Sequence, residues 1–132
     1  MKITDRVKST GLPLDQIVVI GSGVMDALDM RQSRDIDLVA SQSLFAALKS
    51  RDDYVHSLRH NEEVVEKDDQ EIWLSWCNGG ISNFQRLWNE GITIDMVRFC
   101  DPKTVLVWKQ LHNRPKDRTD ITLLQKYLDD SQ

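Results

Sequence analysis

The chain has 132 residues, 40% of them hydrophobic, and a formal net charge of -4. That length suits one domain, residues 1-132, around a single core and argues against a second domain. The acidic balance argues against a surface that grips nucleic acid nonspecifically, no stretch is long enough for a membrane span, and Met1-Lys2-Ile3-Thr4-Asp5-Arg6 lacks the apolar region of a secretory signal, so a cytoplasmic setting is expected.

In chain order, Gln16-Ile17-Val18-Val19-Ile20 reads as a short buried strand. Gly21-Ser22-Gly23 ends it, and Val24 to Arg31 reads as a helix. Asp35 to Val39 forms the next strand, and Ser41 to Lys49 a helix with Ser41 or Ser43 as its cap and Leu44, Ala47 and Leu48 on one face. Further on, 54-58, 63-66 and 71-76 read as strands divided by polar turns. Asn78-Gly79-Gly80 breaks the chain, and Phe84 to Trp88 reads as one or two helical turns. Ile92-Thr93-Ile94-Asp95-Met96-Val97 then reads as one strand carrying an acid. Asp101-Pro102 signals a helix that runs to about His112, and Pro115 opens a last helix whose Ile121, Leu124 and Leu128 form a core stripe. The expected class is mixed α+β, a small mixed sheet flanked by helices.

The run Asp35-Ile36-Asp37-Leu38 concentrates the chemistry. Side chains alternate along a strand, so Ile36 and Leu38 face a core while the two carboxylates share the other side, roughly 6.5 Å apart. Burying unpaired carboxylates is costly, and a divalent cation compensates both at once. The glycine-serine turn between a strand and a helix permits close approach of another group and, with free helix amides, can hold a phosphate; the ordinary alternative is a tight turn.

An apolar strand, Gly21-Ser22, about a dozen residues and then acid-apolar-acid-apolar together resemble the nucleotidyltransferase superfamily. The segment from Lys109 through Arg114-Pro115-Lys116-Asp117-Arg118-Thr119-Asp120-Ile121 resembles the C-terminal part of small bacterial members. The resemblance implies transfer of a nucleoside monophosphate from a nucleoside triphosphate to a hydroxyl, with pyrophosphate released. It implies Gly21 and Ser22 on the phosphates, Asp35 and Asp37 on two Mg2+ ions, and Asp95 as the third acid, which could accept the hydroxyl proton. Mg2+ suits such a set, since it favours oxygen ligands and completes its octahedron with substrate phosphates and waters. The acceptor is open among a small molecule, a protein side chain and an RNA end, and a homodimer could supply part of its pocket. A second expectation is a protein on the same fold that binds nucleotide or regulates without turnover, such as a toxin-antitoxin component.

The remaining candidates each have an ordinary reading. From Arg98 to Arg118 six basic residues face two acids, +4 locally against -8 elsewhere, which suits phosphate but also a solvated face. Lys109 could reach a triphosphate or be a surface lysine. Asp117 and Asp120 read as helix-start acids paired with Arg114 or Arg118. Trp108 reads as core, whereas Trp73 or Trp76 could stack on a ring. Cys77 and Cys100 lack metal-site spacing and read as free thiols, and His56, His60 and His112 suggest no zinc site.

Overall fold

The computed structural model describes residues 1–76 and 84–131. They form a mixed α+β domain. The helices are α1 (Ile3–Ser9), α2 (Ser22–Ala27), α3 (Gln42–Lys49), α4 (Phe84–Glu90), α5 (Pro102–His112) and α6 (Arg118–Asp130). The strands are β1 (Ile17–Val19), β2 (Ile36–Ala40), β3 (Val55–Arg59), β4 (Glu62–Lys67), β5 (Gln70–Trp73), β6 (Ile92–Ile94) and β7 (Val97–Phe99). Short 3-10 turns at Leu14–Gln16 and Pro115–Asp117 complete the path. No helix among the described residues is long and apolar enough to cross a membrane.

The seven strands form one sheet in the order β3-β4-β5-β2-β1-β7-β6. β2 runs parallel to β5 and β1 parallel to β7, while the other pairs are antiparallel. The central strands read as apolar runs because consecutive side chains, pointing to both faces, are buried. Val18, Val19, Leu38, Val39, Ile72 and Phe99 are all fully buried. Each such side chain removed from water contributes roughly 1.5–3 kcal/mol.

Local chemistry sets the element ends. Ser41 caps α3 by accepting the Leu44 amide at 3.2 Å. Asp101 caps α5 through the Lys103 amide at 3.0 Å, and Pro102 takes the first helical position, where its missing N–H costs nothing. α5 stops at Asn113, which adopts the left-handed conformation at φ 44° and returns its amide to the Lys109 carbonyl. Leu124 is fully buried and Ile121 and Leu128 pack partly buried against the core, so α6 carries the expected stripe.

Three features differ from the sequence expectations. The stretch from Ile92 to Val97 is not one strand: Asp95 and Met96 both have positive φ, 49° and 72°, and turn the chain back so that Ile94 pairs with Val97. α1 forms where no element was expected, burying Ile3, Thr4 and Val7 on one face. α2 begins at Ser22 itself and ends at Ala27, earlier at both ends than the helix read from Val24 to Arg31. The expected break at Asn78-Gly79-Gly80, and Cys77, lie outside the described residues; Cys100 is a buried free thiol.

Candidate active site

β2 and β5 lie side by side with Asp37 directly opposite Glu71. In a parallel pair, residues in register point to the same face, so the two carboxyls meet there. Across β2, the Ile20 amide donates to the Asp37 carbonyl at 2.9 Å. The chain then turns at Gly21, whose φ of 63° and ψ of -138° suit glycine almost alone. A Cβ at that position would sit 3.4 Å from Asp37 Oδ2, so the glycine lets the turn lie against the acid.

This corner is one end of a cleft of about 840 Å³. Gly21, Ser22, Asp35, Asp37, Glu71 and Lys109 all line it. Trp73, Trp76, Trp108 and His112 also line it. Trp76 stacks on Trp108 with centroids 5.2 Å apart, His112 on Trp108 at 3.8 Å, and the Arg114 guanidinium lies 4.9 Å from the Trp108 ring. Trp108 is therefore part of the cleft wall rather than simple core.

The electrostatics of the corner centre on Asp37. Asp37 Oδ1 is buried and meets no donor among the described residues. Asp37 faces the Glu71 carboxyl, and a hydrogen bond between the two forms only with a shared proton. Burial first, then that bond and the charges of Glu71 and Asp35, push the Asp37 carboxyl up to about 8 against the opposing pull of Lys109. Burial also raises Glu71, but the bond from Asp37 and the Arg59 guanidinium outweigh it and leave Glu71 below its ordinary value. Burial and the neighbouring carboxyls thus favour the protonated form of Asp37, and Arg59 favours the charged form of Glu71. Arg59 reaches Glu71 and Glu66 from β3 and lies 5.0 Å from the Trp73 ring.

A chain of ion pairs runs behind the glycine-serine turn. Arg31 donates to Ser22 Oγ at 2.6 Å and grips Asp120 through Nε and Nη2 at 2.7 and 2.8 Å. Lys109 is buried, 3.1 Å from Asp120 and 3.5 Å from Asp117. Arg114 closes the chain on Asp117 at 2.7 and 2.9 Å. Burial raises both aspartates, but these cations more than offset it and hold them low. Asp117 pairs with Arg114, one of the expected partners, while Asp120 pairs with Arg31 and Lys109 where Arg114 or Arg118 was a candidate; both aspartates line the cleft. Lys109 faces the cleft as a buried, doubly paired ammonium and not as a surface lysine.

Asp95 is not part of this site. It sits in the β6–β7 turn, more than half exposed, where its ion pair with Lys8 at 3.0 Å holds its carboxyl below the ordinary range. The expected strand would have carried it across the sheet, but the turn at Asp95-Met96 leaves it at the rim. The further acid that the structure brings beside Asp37 in the cleft is Glu71. Its strand was legible, and alternation in Gln70-Glu71-Ile72-Trp73 puts Glu71 opposite a buried Ile72, but strand order alone does not say that β5 pairs with β2. No signal in the sequence marked Arg31 or Arg59.

The donor set was tested against a divalent ion. A buried carboxyl with one unpartnered oxygen, Oδ1, a glycine that clears space beside its other oxygen, Oδ2, and all-oxygen chemistry fit such an ion. Among the described residues, however, no three carboxyl, imidazole or thiol groups converge closely enough to hold one unaided. A bound phosphate would have to complete the shell, as Mg2+ commonly allows. Comparison of the chain with models of known families, with curated proteins and with solved structures found no match.

Proposed function

We propose that this protein is a nucleotidyltransferase that moves a nucleoside monophosphate from a nucleoside triphosphate to a hydroxyl acceptor. The observation that carries the reading is the Asp37 carboxyl, whose Oδ1 is buried without a donor among the described residues, whose Oδ2 lies against Gly21, and whose residue stands opposite Glu71. An oxygen in that position is stabilised by a cation, and the adjoining strand-to-helix turn carries the Ser22 hydroxyl, already gripped by Arg31.

In this reading Asp35, Asp37 and Glu71 hold Mg2+ together with substrate phosphates. When bound, the metal neutralises phosphate charge and steadies the attacking and leaving oxygens. The acceptor hydroxyl gives its proton to a cleft carboxylate as its oxygen forms a bond to the α-phosphorus, the bond from that phosphorus to the bridging oxygen of the β-phosphate breaks, and pyrophosphate leaves. Gly21 and Ser22 orient the phosphate tail, with Arg31 reaching it once it releases the Ser22 hydroxyl. Lys109, close enough to pull on the Asp37 carboxyl, adds positive potential without a free valence. The aromatic wall of Trp76, Trp108 and His112 offers a surface for a ring of the nucleotide or the acceptor.

The absence of a converged triad among the described residues favours a second reading, a protein that binds nucleotide without transferring it. Calorimetry with Mg2+ and each nucleoside triphosphate, followed by assay of pyrophosphate release with candidate acceptors, separates the two. Transfer that disappears in Asp37→Asn supports the enzyme. Triphosphate binding without pyrophosphate release from any acceptor supports the second reading, and failure to bind any triphosphate with Mg2+ rejects both.

A further inference from the structure

Side chains from outside the cleft hold the segment that leads into the acid pair. Arg6, on α1, donates through Nη1 to the Ser33 carbonyl at 2.8 Å and through Nη2 to the Arg34 carbonyl at 2.5 Å. The same Nη2 reaches Asp69 Oδ2 at 3.0 Å. From the opposite side, Asp26 Oδ2 on α2 accepts the Ser33 amide at 2.8 Å and lies 3.3 Å from its hydroxyl. Ser33, itself buried, is thereby fixed at both its amide and its carbonyl.

The placement of these contacts relates them to the site. Arg34 immediately precedes Asp35, and Asp69 lies two residues before Glu71. The Ile36 amide also donates to the Asp69 carbonyl at 2.8 Å, which starts the parallel pairing of β2 with β5. A guanidinium is a rigid fork, and this one ties the entries of both acid-bearing strands to one point on α1. Register matters here more than elsewhere in the sheet. A one-residue slip of β2 against β5 would turn the acids to the opposite face.

We infer that Arg6 is a positioning residue for the acid pair: by fixing the entries to β2 and β5 together it keeps Asp37 opposite Glu71, with Asp35 just before β2, and so sets the divalent-ion affinity of the cleft. This rests on the reading of the cleft as a metal and nucleotide site. Arg6 does not itself line the cleft, so it acts through the segments it holds.

The test is Mn2+ binding, followed by electron paramagnetic resonance, to the full chain in the presence of a triphosphate analogue with a methylene bridge between its α and β phosphorus atoms. Arg6→Gln is compared with wild type and with Val7→Ala, a fully buried position on the same helix that makes none of these contacts. The expected loss in Arg6→Gln is about tenfold or more, the scale of outer-shell effects on metal sites. Arg6→Lys should also weaken binding, since an ammonium cannot reproduce the fork. Val7→Ala should lower Tm and leave Mn2+ affinity within about twofold. Asp69→Asn removes one contact, and a loss in the same direction is expected even if Arg6→Gln fails to fold. Equal affinity in wild type, Arg6→Gln and Asp69→Asn overturns the inference and leaves the metal reading standing. Losses that track Tm across all variants, Val7→Ala included, also overturn it. No Mn2+ uptake by wild type overturns the metal reading and this inference with it.

Discussion

Asp37 is stabilised in the fold chiefly when it carries a proton. Its carboxyl rises to about 8 from an ordinary 3.8, so the folded state binds that proton more tightly than the unfolded chain does. The stabilisation is fully present below the ordinary value and is lost as pH rises through about 8. In the presence of a chelator, Asp37→Asn should therefore melt close to wild type at pH 4 and above it at pH 9. The gain is on the order of 2 kcal/mol, allowing for the partly exposed carboxyl. Melting curves at the two pH values check this, and a variant that melts below wild type at pH 9 contradicts the assignment. A divalent ion must displace the proton, so its affinity should climb with pH through the same window. The two other candidate acids then separate by titration with Mn2+ and a triphosphate. Glu71→Gln should lose at least about tenfold in affinity, while Asp95→Asn, which removes only a rim pair with Lys8, should be indistinguishable from wild type.

At the level of elements, Gly23 tests how tightly α2 is seated. A Cβ there would lie 2.5 Å from Val19 Cγ1 on β1, with Ile3 of α1 just behind. Gly23→Ala should cost about 1–3 kcal/mol through overpacking, despite the higher helix propensity of alanine. Urea denaturation measures it, and a stabilised variant would show that α2 can shift without strain. The elements themselves were largely legible where local chemistry decides them. Ser41 and Asp101 announced their helices, and Val18-Val19 and Leu38-Val39 their buried strands. What failed depended on partners. The apolar run Ile92 to Val97 looks continuous because a two-residue turn through Asp95 and Met96 carries no glycine, and α1 is too short to show a period. The acid pair and its glycine-serine turn were visible because they are local. Glu71 was not, because its role depends on a pairing between strands more than 30 residues apart.

For the molecule as a whole, the buried ion cluster decides whether α5 and α6 stay docked behind the turn. Lys109 of α5 meets Asp117 and Asp120 at the start of α6, and Arg31 extends the same cluster from Asp120 to Ser22. Both aspartates are held low by these cations, so their contribution is present above the ordinary 3.8 and is lost as pH falls through their depressed values. Wild type should accordingly resist acid until well below that range. Lys109→Met removes the shared cation and leaves two buried carboxylates with one arginine each. The expected cost is about 3–5 kcal/mol, as for breaking a buried pair. Breaking an exposed pair such as Arg51 with Asp53 by Arg51→Met should leave Tm almost unchanged. The acid midpoint followed by circular dichroism should move upward in Lys109→Met, because less charge then opposes protonation of the pair. An unchanged midpoint together with a large loss of triphosphate affinity would reverse the assignment, making Lys109 a phosphate ligand first and a structural cation second.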